Sequence, residues 1–173
     1  MQQHWHYGMM GAIALVVGSA VALLPSRIQA QITRSSTIFE SVTLSNNFRP
    51  NPTTLHGISG GPVSASQLAQ RSTTPTGPCL GFVDRLPDHQ LELTQPFDFL
   101  SVRVQSPEDT TLIIQGPGGV WCNDSYLDFN PGIAGGWLPG VYQIWVGSTR
   151  ANRYHPYIIR LSQTGAPSAQ ARP

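Results

Sequence analysis

Lysine is absent from this chain. Ten arginines are its only strong bases, set against nine acids, and charged residues make up only 11% of its 173 positions. So sparse and balanced a charge disfavours nucleic acid and anionic membranes as partners, because both need a concentrated positive field. Long apolar stretches are also wanting. The uninterrupted run of apolar and small residues at Ala12–Leu24 is too short to span a bilayer comfortably, and no convincing amphipathic helix follows it. What is plentiful is glycine, proline, serine, threonine, asparagine and glutamine, a composition common among exported β-proteins with many turns.

The apolar run is followed by Pro25, Ser26, Arg27 and the small residue Ala30, so residues 1–30 read as a signal peptide cut after Ala30. Its leading part is atypical, offering His4, His6 and the free amine but no lysine or arginine; an uncleaved anchor is the other reading. No cysteine stands near the end of the run, so a lipid-modified N-terminus is not indicated. Cleavage leaves about 143 residues, close to neutral and enough for one domain with its flanks. The expected location is secreted, periplasmic or extracellular, with no membrane span after cleavage.

Two cysteines, Cys79 and Cys122, fall in the exported part. In an oxidising compartment an even count of two most simply means one disulfide, and its loop of about 42 residues restricts the unfolded chain by ~3–4 kcal/mol. A reactive cysteine needs a nearby base, and nothing in the sequence ties His89 or His155 to either sulfur.

The strand pattern is steady from Cys79 onward. His89–Thr94 alternates, with Leu91 and Leu93 on one face and Gln90, Glu92 and Thr94 on the other; Phe99–Gln105 repeats the device with Leu100, Val102 and Val104. Thr110–Gln115 and Val120–Cys122 flank Gly116-Pro117-Gly118-Gly119, which forms a turn because it joins a fixed proline φ to glycines free to take positive φ. Val141–Gly147 sets Tyr142, Ile144 and Val146 opposite Val141, Gln143 and Trp145, so both of its faces are expected to be partly covered. Tyr157–Leu161 closes the set. Residues 31–78 are harder to read: Thr37–Leu44 suits one edge strand joining the sandwich, Ser64–Gln70 suits a helical turn or a strand, and Arg71–Pro78 is a linker by composition. The expected architecture is all-β, an antiparallel, jelly-roll-like sandwich with its core in residues 79–163 and a disordered tail over 164–173.

The phrases DTTLIIQGPGGVWCND, NPGI and PGVYQIWVGS resemble the bacterial pre-peptidase C-terminal domain family, over roughly Gly77–Gln163. That family carries an Asp-Thr-x-Leu strand, a turn with Gly or Asp, a short acidic loop and a Gly-x-Tyr-x-Ile/Leu-x-Val strand. The resemblance implies a small jelly-roll-like sandwich, usually appended to secreted peptidases, serving secretion, substrate contact or surface binding without catalysis of its own.

Three sets of residues invite chemistry. Asp109, Asn123, Asp124, Asp128 and Asn130 are hard oxygen donors of the kind Ca²⁺ takes six to eight of, and the hairpin returns Asp109 and Asn123–Asp124 to one edge of the sheet. The plainer reading is that these side chains make ordinary turns. Tyr126, Trp137 and Tyr154 sit in loop-like contexts and suit stacking against a polysaccharide or an extracellular protein, although aromatic residues in β-proteins more often pack inside. Arg150, Arg153 and His155 form a small basic loop, for which a solvated surface is the plainer account. Finally, His56 and Ser59, with Gly60-Gly61 after the serine, suggest a hydrolase, but no acid precedes the serine and no strand-turn-helix elbow is present. The reading that follows is a secreted, non-catalytic binding or structural module, with a calcium-dependent carbohydrate- or matrix-binding module and a small serine hydrolase as alternatives.

Overall fold

The computed structural model describes Met1, residues 36–126 and residues 129–163. The body of the expected signal peptide, Asp128 and the tail over 164–173 lie outside the described residues.

Among the described residues, thirteen strands and one short helix follow in order: β1 (Val42–Leu44), β2 (Thr53–Ser59), β3 (Val63–Ser64), α1 (Ala65–Ala69), β4 (Thr73–Thr74), β5 (Gly77–Pro78), β6 (Phe82–Val83), β7 (His89–Leu93), β8 (Phe97–Gln105), β9 (Thr110–Gly116), β10 (Gly119–Asn123), β11 (Gly132–Trp137), β12 (Gly140–Ser148) and β13 (His155–Ser162). The first sheet is built on β12. Along one side it pairs antiparallel with β9, which pairs in turn with β10; along the other it meets β7 through Gly140–Ile144 and then β6 at Ser148. β1 runs parallel beside β7, and β3 lies beside β6. The second sheet has the order β11-β8-β13-β2, antiparallel throughout.

Alternation decides what each strand buries. Leu91, Leu93, Leu112, Ile114, Tyr142, Ile144 and Val146 from the first sheet meet Leu55, Leu100, Val102, Val104, Ile159 and Leu161 from the second. Each such side chain contributes about 1.5–3 kcal/mol through removal from water. The first sheet is also covered on its other face, where Ile113 and Trp145 pack under Ala65, Ala69, Val83 and the two cysteines. This is the two-faced burial expected for Val141–Gly147, and it explains why Thr110–Ile114 are buried without a break. The Cys79–Cys122 disulfide forms as expected and ties the covering segment to β10.

The early part of the chain supplies more than the one strand expected of it. β2 is a full seven-residue strand paired along β13, whereas the Thr37–Leu44 run forms only the three residues of β1. Gly57 weakens the strand signal of β2, yet it is required: a Cβ there would lie 2.3 Å from the Tyr157 hydroxyl. Both options for Ser64–Gln70 are realised in sequence, a short strand and then one helical turn whose Ala65 and Ala69 face inward. The expected linker folds as the β4–β5 hairpin and docks on β10. Thr76 Oγ1 donates to the Cys122 carbonyl at 2.8 Å, and the Cys122 amide donates to Thr74 Oγ1 at 3.0 Å. Threonine hydroxyls thereby cap a strand edge that would otherwise be open, a role that linker-like composition conceals.

Candidate functional site

The β9–β10 turn places Pro117 and Gly118 between paired Gly116 and Gly119, with Gly118 at φ 95°. The ring of Pro117 lies against Gly140, where an added Cβ would come within 2.6 Å of it, so the hairpin tip is held against the start of β12. Facing it is the end of β11, the edge strand of the second sheet, whose pairing with β8 is irregular between Gly135 and Trp137. Between tip and edge lies a cleft of about 290 Å³ walled by Trp121, Trp137, Tyr142, Pro117, Ile133 and Leu138.

Three aromatic rings form its floor. Trp137 and Tyr142 meet edge to face at 5.0 Å, and Trp121 lies 6.2 Å from Trp137 and 6.3 Å from Tyr142. The polar ends of two are anchored: Trp137 Nε1 donates to the Leu100 carbonyl and the Tyr142 hydroxyl donates to the Leu138 carbonyl, both at 2.8 Å. The aromatic faces are thus held in place, and the lining carries no carboxylate, imidazole, guanidinium or thiol. Such a surface can grip an apolar or ring-bearing group by stacking and desolvation.

Of the three expected contact aromatics, Trp137 joins this cleft while itself remaining buried. Tyr126 carries the Arg103 guanidinium 5.3 Å above its ring and packs on Gly132; Tyr154 lies exposed in the loop between β12 and β13. Trp121 and Tyr142 were masked in the sequence by their strand context.

The expected calcium donors divide into two groups. Asp109 and Asp124 line one shallow depression with Thr110, Thr111 and Thr149. Burial, and then the nearby Asp124 charge, raise the Asp109 carboxyl above its ordinary value. Asn123 and Asn130 are engaged within the protein instead. Asn123 donates to the Thr76 carbonyl at 2.7 Å and accepts the Gly132 amide at 3.0 Å, and Asn130 accepts from Ser106 N while donating to its carbonyl. Asp128 is outside the described residues. Among the described residues no three of His, Cys, Asp and Glu gather as a metal cluster.

The hydrolase alternative is corrected by strand geometry. His56 and Ser59 are three apart on β2, so they point to opposite faces: Ser59 is buried against Ser148 Oγ at 3.0 Å, whereas His56 is exposed and lies 3.7 Å from Glu40.

A buried polar group between the two sheets was not among the residues singled out from sequence. His89 is fully buried; its Nδ1 donates to the Glu40 carbonyl at 2.7 Å and its Nε2 accepts the Tyr157 hydroxyl at 2.9 Å, a neutral tautomer that burial stabilises by lowering the ring pKa. Beside it Asp88 is fully buried, and desolvation pushes its carboxyl up to about 8. The signal was available for His89, which shares strand parity with Leu91 and Leu93.

The described residues therefore define a two-sheet, disulfide-closed β-sandwich with an aromatic cleft at one side. No family model matches the chain. It is similar to an uncharacterized protein of Synechococcus elongatus, 33% identical over 86 residues, which is 47% of this chain; the match spans 63% of that relative, less than two thirds of its length. Among solved structures it is similar to the pre-peptidase C-terminal domain of a Bacillus anthracis collagenase, with a TM-score of 0.41 and 9% identity over 73% of this chain and 99% of that one. It is also similar to PliG, a periplasmic inhibitor of g-type lysozyme from Aeromonas hydrophila, with a TM-score of 0.37 and 15% identity over 71% of this chain and 96% of that one. Both are distant likenesses of fold and bear on no function.

Proposed function

We propose that this chain is a secreted, non-catalytic binding module that holds its ligand in the aromatic cleft. The observation that carries this reading is the cluster of Trp121, Trp137 and Tyr142, the last two anchored at their polar ends, which opens into about 290 Å³ with no carboxylate, imidazole, guanidinium or thiol on its walls. A disulfide fits an oxidising compartment, and among the described residues no helix is long and apolar enough to cross a membrane. The ligand class is a ring-bearing segment of an extracellular polymer, either a sugar of a polysaccharide or a proline of a protein, since both present flat C–H faces to tryptophan.

The test is tryptophan fluorescence of the full chain titrated with cellohexaose and, separately, with a decaproline peptide. Saturable quenching by one of the two, weakened in both Trp121→Ala and the exposed-rim variant Leu138→Ala, supports the reading. Quenching by neither probe, or quenching indifferent to both substitutions, sinks it.

A second reading is favoured by the depression that Asp109 and Asp124 share: a calcium ion there would relieve the repulsion between them, and the module would then bind its ligand in a calcium-dependent way.

A further inference from the structure

The Ser59-Gly60-Gly61 run serves as the clamp of a basic loop. Ser59 pairs in register with His155, where the loop returns, and its hydroxyl meets that of Ser148, where the loop departs, at 3.0 Å. Gly60, at φ 107°, lies so near the loop that an added Cβ would sit 1.9 Å from the Arg153 carbonyl, and the Gly61 carbonyl accepts the Asn152 amide at 3.0 Å. Inside the loop Asn152 takes φ 56° and the Arg153 amide donates to the Arg150 carbonyl. The backbone carrying Arg150 and Arg153 is thus fixed at both ends and in the middle by the last residue of β2 and the two glycines that follow it.

What the clamp presents is a concavity of about 350 Å³ lined by Thr149, Arg150, Arg153, His155 and Glu108. Two guanidinium forks, an imidazole and a hydroxyl share its walls. Guanidinium forks match the oxygens of sulfate and phosphate in bidentate fashion, and a fixed backbone lowers the ordering cost of binding. A tetrahedral oxyanion can accept from several directions at once, which suits donors arriving from a loop and a strand. Glu108 on the same wall opposes an anion, and Asp109 and Asp124 line the adjoining depression that shares Thr149.

We propose that this concavity binds a tetrahedral oxyanion, sulfate or phosphate, through Arg150, Arg153 and His155. The experiment is an amide-resolved NMR titration of the ¹⁵N-labelled full chain with sodium sulfate at constant ionic strength, with sodium chloride as the control. Saturable shifts confined to residues 149–155 and Glu108 are expected. The double variant Arg150→Ala/Arg153→Ala should weaken binding about tenfold or more, and Glu108→Gln should tighten it about threefold. Both arginines are exposed, so the variant is expected to melt with the wild type, which separates loss of the site from loss of the fold. Shifts that grow linearly without saturating, that chloride reproduces, or that the double variant retains overturn the proposal. A parallel titration with heparin separates the sources. Arginine-dependent binding tighter than that of the free ion assigns a sulfate ester on a polymer, and binding no tighter assigns the free anion. Heparin binding indifferent to the arginines joins the overturning results.

Discussion

The Val146 amide donates to Asp88 Oδ2 at 2.6 Å, at the point where β12 passes from its pairing with β7 to its pairing with β6. A carboxyl group fills the gap in the ladder where no strand runs. It does so fully buried, with its second oxygen unpartnered. The folded pKa of about 8 is above the ordinary 3.8, so the fold favours the protonated acid. Its contribution is fully present below the unfolded value and is lost as pH rises toward about 8. Asp88→Asn keeps an acceptor for Val146 and removes the titration. The variant is expected to match the wild type near pH 4 and to exceed it by a few kcal/mol above pH 8, as read from urea unfolding across pH. A difference between the two that does not vary with pH would contradict this account.

Gly57→Ala tests the close approach of Tyr157. In an ordinary strand this exchange stabilises by roughly 0.5–1 kcal/mol. Here the new Cβ would lie 2.3 Å from the phenolic oxygen that donates to His89, so a loss of about 1–3 kcal/mol is expected, with disturbance of the His89 ring signals by NMR. Unchanged or raised stability would show that Tyr157 moves aside freely.

Ser59→Ala removes a buried hydroxyl and leaves Ser148 without that partner, with an expected cost of about 1–3 kcal/mol in thermal unfolding. A fluorophosphonate probe should label neither the variant nor the wild type, because His56 faces away from Ser59. Labelling that disappears with Ser59→Ala would restore the hydrolase reading.

Calcium is tested by unfolding the full chain in millimolar CaCl₂ and then in EDTA. A site filled at ~100 times its dissociation constant adds about 2.7 kcal/mol, and Asp124→Ala should abolish the gain. No gain in the wild type would leave the acids of the Asp109 depression as surface chemistry only.

Much of the sandwich was legible because alternation reports burial directly. Leu91 and Leu93, Leu100 to Val104, and the opposed sets on β12 all fall as their parity requires, and the two cysteines could pair only with each other. What was illegible depends on approach between distant segments. Gly57 looks like a strand breaker until Tyr157 is seen crossing it, and Thr74 and Thr76 look like linker until Cys122 is seen between them. The cleft has the same origin. Trp121 and Tyr142 carry ordinary strand patterns, and only the meeting of the β9–β10 tip with the β11 edge opens a space beside their rings. The candidate donors Asn123 and Asn130 misled in the opposite way, since an amide that bonds backbone on both sides looks in sequence like one free to coordinate.

The pairing of β2 with β13 joins residues about a hundred positions apart, and Gln163 extends the seam by reaching Asn47 and Asn51. A chain delivered from its N-terminus therefore holds β2 without its mate until β13 follows about a hundred residues later. Loop closure on that scale makes final assembly slow and late. Because β13 sits between β8 and β2, the second sheet is continuous only once that strand is in place.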